Sequence, residues 1–560
     1  MRLKFSLLSL SQAKLVQCIN GNYLALLLVT LLSSANGIAA EKSSAAEQKK
    51  QESRDAWVAS DKIGELYLAQ CGVCHGKQLE GKAIGPALIN VDLIHGETLS
   101  LLMANISSGF AGSGMPAWND TLTKNQIKAL AVYILEKRSA NSLDATLGLG
   151  TPPEIPTTVQ KTAQHDYTLR QVYHGLEHPY SIAPLKDGRV LITEKAIGLS
   201  LISADGESKL LIQETPKVFD DGTLRGATYT GSGWMHDVEL HPQYSDNGWI
   251  YLSHGHRCNH CNALSRQTKK SVVMVQLIRG RLKGDRWVDE EIIWRAEPDA
   301  YIEGIEVGMG ARITFDDSGY VYLTLGNMIA NYAGAQDLNK PYGKTLRLHD
   351  DGRIPTDNPF INNKNALPSI WTLGHRNPQG ISFDKKQRVL WQSEHGPRGG
   401  DEANVLLPGR NYGWPLVSLG LDYDGAPIHY DKQLGIVFDP NDLEPTKIDW
   451  TPSLGVSSIA FYQAKNTSDF GHEKMNKGYF FKWNNDLLVA TLASNDLLRI
   501  STKKTEPTNA EVIVKDIGRI RDVEPGWDGQ IYLLLEHSTG SAIVAMQQAD
   551  KQTKAKNDVN

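Results

Sequence analysis

Five consecutive residues, Cys71-Gly72-Val73-Cys74-His75, stand in the order that holds a haem covalently. Two thiols form thioether bonds to the porphyrin, and the adjoining imidazole ligates the iron. Met115, in Gly114-Met115-Pro116-Ala117-Trp118, offers a thioether for the opposite axial position. Histidine with methionine closes both axial sites and raises the iron potential, which suits one-electron transfer rather than oxygen chemistry. A disulfide or thiol-redox centre at Cys71 and Cys74 would need neither the His nor the distant Met.

A second pair lies in His254-Gly255-His256-Arg257-Cys258-Asn259-His260-Cys261-Asn262. Asn262 follows the second Cys, so this is not another haem motif. Two readings stay open: a local Cys258–Cys261 disulfide in an oxidising compartment, or a soft-metal site using both thiols with His256 or His260. The fifth cysteine, Cys18, precedes an apolar run at the N-terminus and follows Gln17, a poor context for a lipid acceptor.

The haem motif needs helices around it. Ala56-Trp57-Val58 through Tyr67-Leu68 has helical apolar spacing and leads into Cys71. Thr123-Lys124-Asn125-Gln126 is a capping-box pattern that opens a second helix, with apolar residues at Ile127, Leu130, Ala131, Tyr133 and Ile134. Residues 55–140 therefore read as a small all-α unit. It resembles a class I cytochrome c. Gly85-Pro86-Ala87-Leu88 follows at the distance where that family places a proline supporting the proximal His.

Upstream, Arg2 and Lys4, the apolar run Tyr23 to Leu32, and small residues through Ala40 read as a cleavable signal peptide over 1–40. The run is short for a membrane span, although an uncleaved anchor is the alternative. Export to the periplasm is the expectation, with no stable membrane span after cleavage. A polar tether occupies 41–54, and a Pro-containing linker 141–165.

From 166 to 548 the texture is β. An apolar strand, a turn with Asp or Asn and Gly, and a second apolar strand recur six times, at roughly 55–80 residue spacing. The copies begin at Ile182, Val238, Ile313, Ile381, Ile459 and Val523. Six four-stranded blades closing into a β-propeller leave few free edges, which a β-sandwich with so long a repeat would not explain. A polar tail, 549–560, follows. The formal net charge of −5 over 560 residues, with no basic stripe, excludes a nucleic-acid binder by its composition.

Several phrases of the β region resemble the soluble PQQ-dependent aldose sugar dehydrogenases, the glucose/sorbosone dehydrogenases. They are Gly175 to Ser181, Gly374-His375-Arg376-Asn377-Pro378-Gln379-Gly380, Ser393 to Glu402, Asn411 to Pro415 and Arg519-Ile520-Arg521-Asp522-Val523. By that resemblance Arg376, Asn377, Asp401, Arg519 and Arg521 contact the quinone PQQ, its carboxylates or the sugar. A guanidinium fork suits a carboxylate. The resemblance also implies that Gly396 and Pro397 offer carbonyls to a Ca2+, and that Glu402, Tyr412 and Asp422 match a second, structural calcium site.

The pattern breaks at four places. Gly308 stands where the family has its catalytic His, Ala493 where it has a quinone-gripping Lys, and Ser232 and Met328 where it has two glutamines. One reading rebuilds the site: His236, in Gly233-Trp234-Met235-His236-Asp237, becomes the base, oriented by Asp237. The other is a propeller that binds a different ligand or serves as a scaffold. Together these expectations describe a periplasmic quinoprotein-type dehydrogenase of a sugar-like alcohol or aldehyde. Its electrons pass to the fused haem c and on to a respiratory acceptor.

Overall fold

The computed structural model describes residues 62–138, 152, 154–220, 223–225, 228–303, 308–327, 332–422, 425–428, 430–463 and 479–549. The leader, the tether, the opening of the first helical segment, much of the linker, Met328 and the end of the tail lie outside the described residues.

Three helices, Lys62–Gln70, Leu99–Ser108 and Lys124–Arg138, surround the short turn Gly72–His75. The last begins with the capping box its sequence predicts: Gln126 N–H donates to Thr123 Oγ1 at 3.2 Å, and Thr123 N–H donates to Gln126 Oε1 at 2.9 Å. Its apolar residues Ile127, Leu130 and Ile134 pack with Ile63, Tyr67, Leu102 and Ile106. Each such side chain contributes roughly 1.5–3 kcal/mol when fully buried. Among the described residues no helix is long and apolar enough to cross a membrane.

The remainder is a six-bladed propeller. Five blades are antiparallel four-stranded sheets spanning Pro179–Leu211, Met235–Arg295, Gly310–Leu373, Pro378–Trp450 and Val456–Val514. The sixth joins Arg519–Pro525, Ile531–Glu536 and Ser541–Gln548 to Asp166–Leu176. The first strands of successive blades touch in a closed cycle, so the ring has no open side. All six sequence repeats are the first two strands of a blade. Gly188 and Gly529, with φ of +87° and +82°, make the turns between such strands in a conformation that a side chain disfavours.

The ring is pinned at its axis by Arg312. This buried guanidinium donates to Asp237 Oδ1 (2.9 Å), Asp522 Oδ1 (3.0 Å), Gln379 O (2.9 Å) and Arg521 O (3.0 Å), so it joins four blades. Burial disfavours its charge, but Asp522 and Asp237 more than offset this and raise its pKa.

Candidate functional site

The helical unit encloses a cavity of about 430 Å³ lined by Cys71, Cys74, His75 and Met115, with Leu88, Ile106 and Ile134 among its apolar walls. His75 Nδ1 lies 2.8 Å from the carbonyl oxygen of Pro86. Donation from Nδ1 fixes the ring and leaves Nε2 for iron, the orienting arrangement of a ligating histidine. Apolar walls, paired thiols, an imidazole and a thioether lining one cavity fit a covalent haem.

The propeller gathers its polar groups at one end. Strands in a blade are antiparallel, so the start of each first strand meets the end of each second: Pro179 with Glu194, Met235 with His254, Pro378 with Glu394, Val456 with Thr491 and Arg519 with Glu536. Arg376, Asn377, His395, Gly396, Ala493, Arg519 and Arg521 therefore share one rim with His236.

At its centre stands Glu536. Its Oε2 accepts from Arg521 (2.6 Å) and Arg519 (3.2 Å), and its Oε1 from Lys195 Nζ (3.4 Å). Burial would push this carboxyl up, but Arg521, Lys195 and Arg519 hold it far below the usual range. Burial likewise pulls the Lys195 ammonium down to about 8 against the attraction of Glu536. Three cations thus share one carboxylate, and all four groups are under 9% exposed. Arg521 Nε and His395 Nε2 are buried with no hydrogen-bond partner among the described residues. A low-dielectric site with two surplus positive charges and idle donors fits a polycarboxylate such as PQQ.

Lys195, Glu536 and His395 were not singled out in the sequence. The imidazole of His395 is held down to about 3 by burial and by Arg376, Arg521 and Arg519, and is therefore neutral. Asn377 Nδ2 lies 3.5 Å from its Nδ1, and Gln379 Nε2 donates to Asn377 Oδ1 at 2.8 Å. His236 is 2% exposed and packs edge-on against Tyr180, ring centroids 5.2 Å apart, beneath Trp234.

Other expectations meet a different arrangement. Asp237 does not orient His236: its Oδ1 accepts from Arg312 and its Oδ2 from Ile313 N–H at 2.6 Å. Asp401 is fully buried beneath its loop, accepting from Gly396 N–H, Ser453 Oγ and Val456 N–H, rather than facing the rim. The Gly396 carbonyl, expected on calcium, accepts from Arg376 Nη1 at 2.9 Å; Pro397 follows in the same loop. Glu402 accepts from Thr446 and Asn404, Tyr412 donates to Val405 O, and Asp422 accepts from Tyr430, so the calcium candidates have separate partners. No cluster of three His, Cys, Asp or Glu groups able to hold a metal occurs among the described residues. Burial, then the charge of Glu394, pushes Glu402 up to about 8.

Gly308 has φ +82°, a geometry that a histidine would strain. Ala493 and Ser232 are half-buried on the described rim. Cys258 and Cys261 form a disulfide, and His256 Nδ1 lies 2.9 Å from Tyr301 Oη. This matches the disulfide reading and leaves the soft-metal reading without its thiols.

A c-type cytochrome unit joined to a six-bladed propeller with a cationic rim defines the class: a quinoprotein-like dehydrogenase propeller carrying its own cytochrome. Residues 176–544 match Glucose / Sorbosone dehydrogenase, and the chain belongs to that family. Residues 59–134 match Cytochrome C oxidase, cbb3-type, subunit III. The chain is similar to aldose sugar dehydrogenase YliI of Escherichia coli (strain K12), 32% identical over 374 residues, covering 66% of this chain and 90% of that protein. The apo crystal structure of the soluble aldose sugar dehydrogenase from Escherichia coli covers 68% of this chain and all of that one, at 29% identity and a TM-score of 0.56. Cytochrome c55X of Stutzerimonas stutzeri is 35% identical over 74 residues, 13% of this chain and 64% of that protein.

Proposed function

We propose that the propeller oxidises an aldose-like sugar with PQQ and that the fused haem c carries the electrons to a respiratory acceptor in the periplasm. The observation that carries this reading is the triad Lys195, Arg519 and Arg521 on the single carboxylate Glu536. PQQ, when bound, supplies a two-electron acceptor for the hydride equivalent of the sugar. Arg519, Arg521 and Lys195 hold its carboxylates, with Lys195 providing the cation that Ala493 lacks. His395 and Asn377 offer hydrogen bonds beside them. His236 takes the hydroxyl proton of the sugar, at the level a general base contributes, about 10²–10⁴-fold. Sugar oxidation releases two electrons and two protons, whereas haem carries one electron, so each turnover needs two passages to the external acceptor.

The proposed organisation is a leader over 1–40, a tether over 41–54, the cytochrome over 55–140, a linker over 141–165, the propeller over 166–548 and a tail over 549–560. The test is spectroscopic. The oxidised haem protein receives PQQ, Ca2+ and a panel of aldoses and alcohols, and the reduced-haem band is followed. Reduction that requires both PQQ and a sugar supports the reading; no PQQ binding and no reduction by any substrate sinks it. A second reading, a cytochrome with a ligand-binding propeller that no longer oxidises sugar, is favoured by Gly308, whose backbone is poorly suited to the family base.

A further inference from the structure

Blade four sends out a ribbon that meets the cytochrome. Arg398, two residues beyond Gly396, pairs through its backbone with Leu421: each N–H donates to the other's carbonyl, at 3.0 and 2.8 Å. From this ribbon the Arg398 guanidinium grips Glu136 of helix Lys124–Arg138 by three contacts, Nε to both carboxylate oxygens at 3.1 Å and Nη2 to Oε2 at 2.8 Å. Lys128, on the same helix, donates to Leu419 O at 2.6 Å. Leu421 is buried within the cytochrome's own apolar cluster, beside Ile63 and Tyr67. At Gly425 a Cβ would fall 2.0 Å from Ile63, so the ribbon lies against the first helix without room for a side chain. A forked ion pair, a charge-assisted hydrogen bond and a buried leucine make a specific contact rather than a loose tether.

The ribbon also reaches the rim. The Gly396 carbonyl accepts from Arg376, and Ile134, two residues before Glu136, lines the haem cavity. A continuous path therefore runs from Arg376 across 2.9 Å to Gly396, along the chain to Arg398, across 2.8 Å to Glu136, and along the helix to the cavity wall. Bonds and short hydrogen bonds couple electronic states far better than gaps of similar length.

We propose that this ribbon is a fixed electron-transfer contact, in which the Arg398–Glu136 pair holds the haem unit in register with the propeller rim so that electrons pass without domain motion. The proposal rests on the function proposed above for its electron source. The donor is the reduced cofactor at the rim, which gives up one electron per passage; the acceptor is ferric haem, which becomes ferrous; the proton leaves to solvent.

The experiment uses the full-length holoprotein loaded with PQQ and mixed with sugar, in wild type, Glu136→Arg, Arg398→Glu and the double charge swap. Two acceptors are read separately: the haem itself, in a single turnover, and an added small redox dye. Haem absorbance confirms folding of each variant. Haem reduction is expected to slow about tenfold or more in each single variant, as docking weakens by a decade in its equilibrium constant, with dye reduction unchanged and the swap restoring the haem rate. Equal haem rates in all four proteins overturn the role of the contact. A wild type that reduces dye but not haem overturns the relay and leaves sugar oxidation standing. If wild type reduces neither, the functional reading fails and hydrogen exchange decides the contact alone. Faster exchange of helix Lys124–Arg138 in Glu136→Arg, reversed by the swap, upholds the docking; unchanged exchange overturns it.

Discussion

Replacing Lys195 by methionine keeps most of the length of the side chain and removes one of three cations from a buried cluster. A hydrogen bond to a charged group contributes about 1.5–3 kcal/mol, so PQQ should bind about 10–150-fold more weakly. Little of this is lost to screening, because Lys195 is 6% exposed. The pH dependence is a sharper signature. The Lys195 pKa in the free protein is lowered to about 8. Below that pH the ammonium is present to meet a carboxylate; as pH rises through about 8 the free protein loses the proton, and Kd should climb by up to tenfold per unit until the pKa of the complex is reached. The groups facing Lys195 do not confuse this window. Glu536 is held ionised, the Trp234 ring does not titrate, and His178 is pushed below its ordinary value by burial and by Lys195 itself. Calorimetric titration of the haem protein with PQQ, without sugar, at pH 6.5, 8 and 9.5 reads the effect. Lys195→Arg should keep the affinity and flatten the profile, and Lys195→Met should lose both. A wild-type Kd that is flat with pH and matched by Lys195→Met would refute the reasoning.

Arg312→Met leaves Asp237 and Asp522 buried without their shared cation, and should destabilise the propeller by about 3–5 kcal/mol. A lowered urea midpoint at unchanged slope checks this, and a loss below about 1 kcal/mol would speak against the axial hub. His236→Ala should cut dye-linked sugar oxidation by about 10²–10⁴-fold with PQQ affinity preserved; an unchanged rate rules His236 out as the base. Asp237→Asn should act on stability rather than on the pH profile of oxidation, since its carboxylate is tied to Arg312 and Ile313; a shifted profile would restore it as a partner of His236. Met115→Ala should keep haem bound through Cys71 and Cys74 while lowering its potential and abolishing the far-red methionine–iron band. A retained band would place the ligand elsewhere.

Much of the architecture is written locally. The haem motif is contiguous, the capping box at Thr123 spans four residues, and each blade announces itself as two short apolar strands about a polar connection. Outer strands are quieter. Arg286–Arg295 alternates little and is mostly exposed, so it carries weak hydrophobic signal. The rim is harder still, because ring closure assembles it from distant positions: Lys195 and Glu536 are 341 residues apart. No spacing rule reaches that far. The expected pairing of His236 with Asp237 gave way to a longer-range contact. Asp237 is claimed by Arg312 and the Ile313 N–H of the next blade, 75 and 76 residues on, so adjacency to His236 in sequence carried little weight.

The seam between Asp166–Leu176 and Ser541–Gln548 sets an order of maturation. Thr168 and Gln547, hydrogen-bonded across it, are 379 positions apart. Closing so long a loop costs about 5 kcal/mol in chain entropy alone, and it must wait for the final strand to be made. The cytochrome sequence emerges first, and domains generally fold as they emerge. Haem can be attached at Cys71 and Cys74 while the ring is still open. A chain arrested before Ser541 leaves Asp166–Leu176 and Ile531–Glu536 without the strand that joins them, two unpaired edges open to pairing with another chain. Closure of the ring thus removes the two edges that would otherwise recruit a second chain.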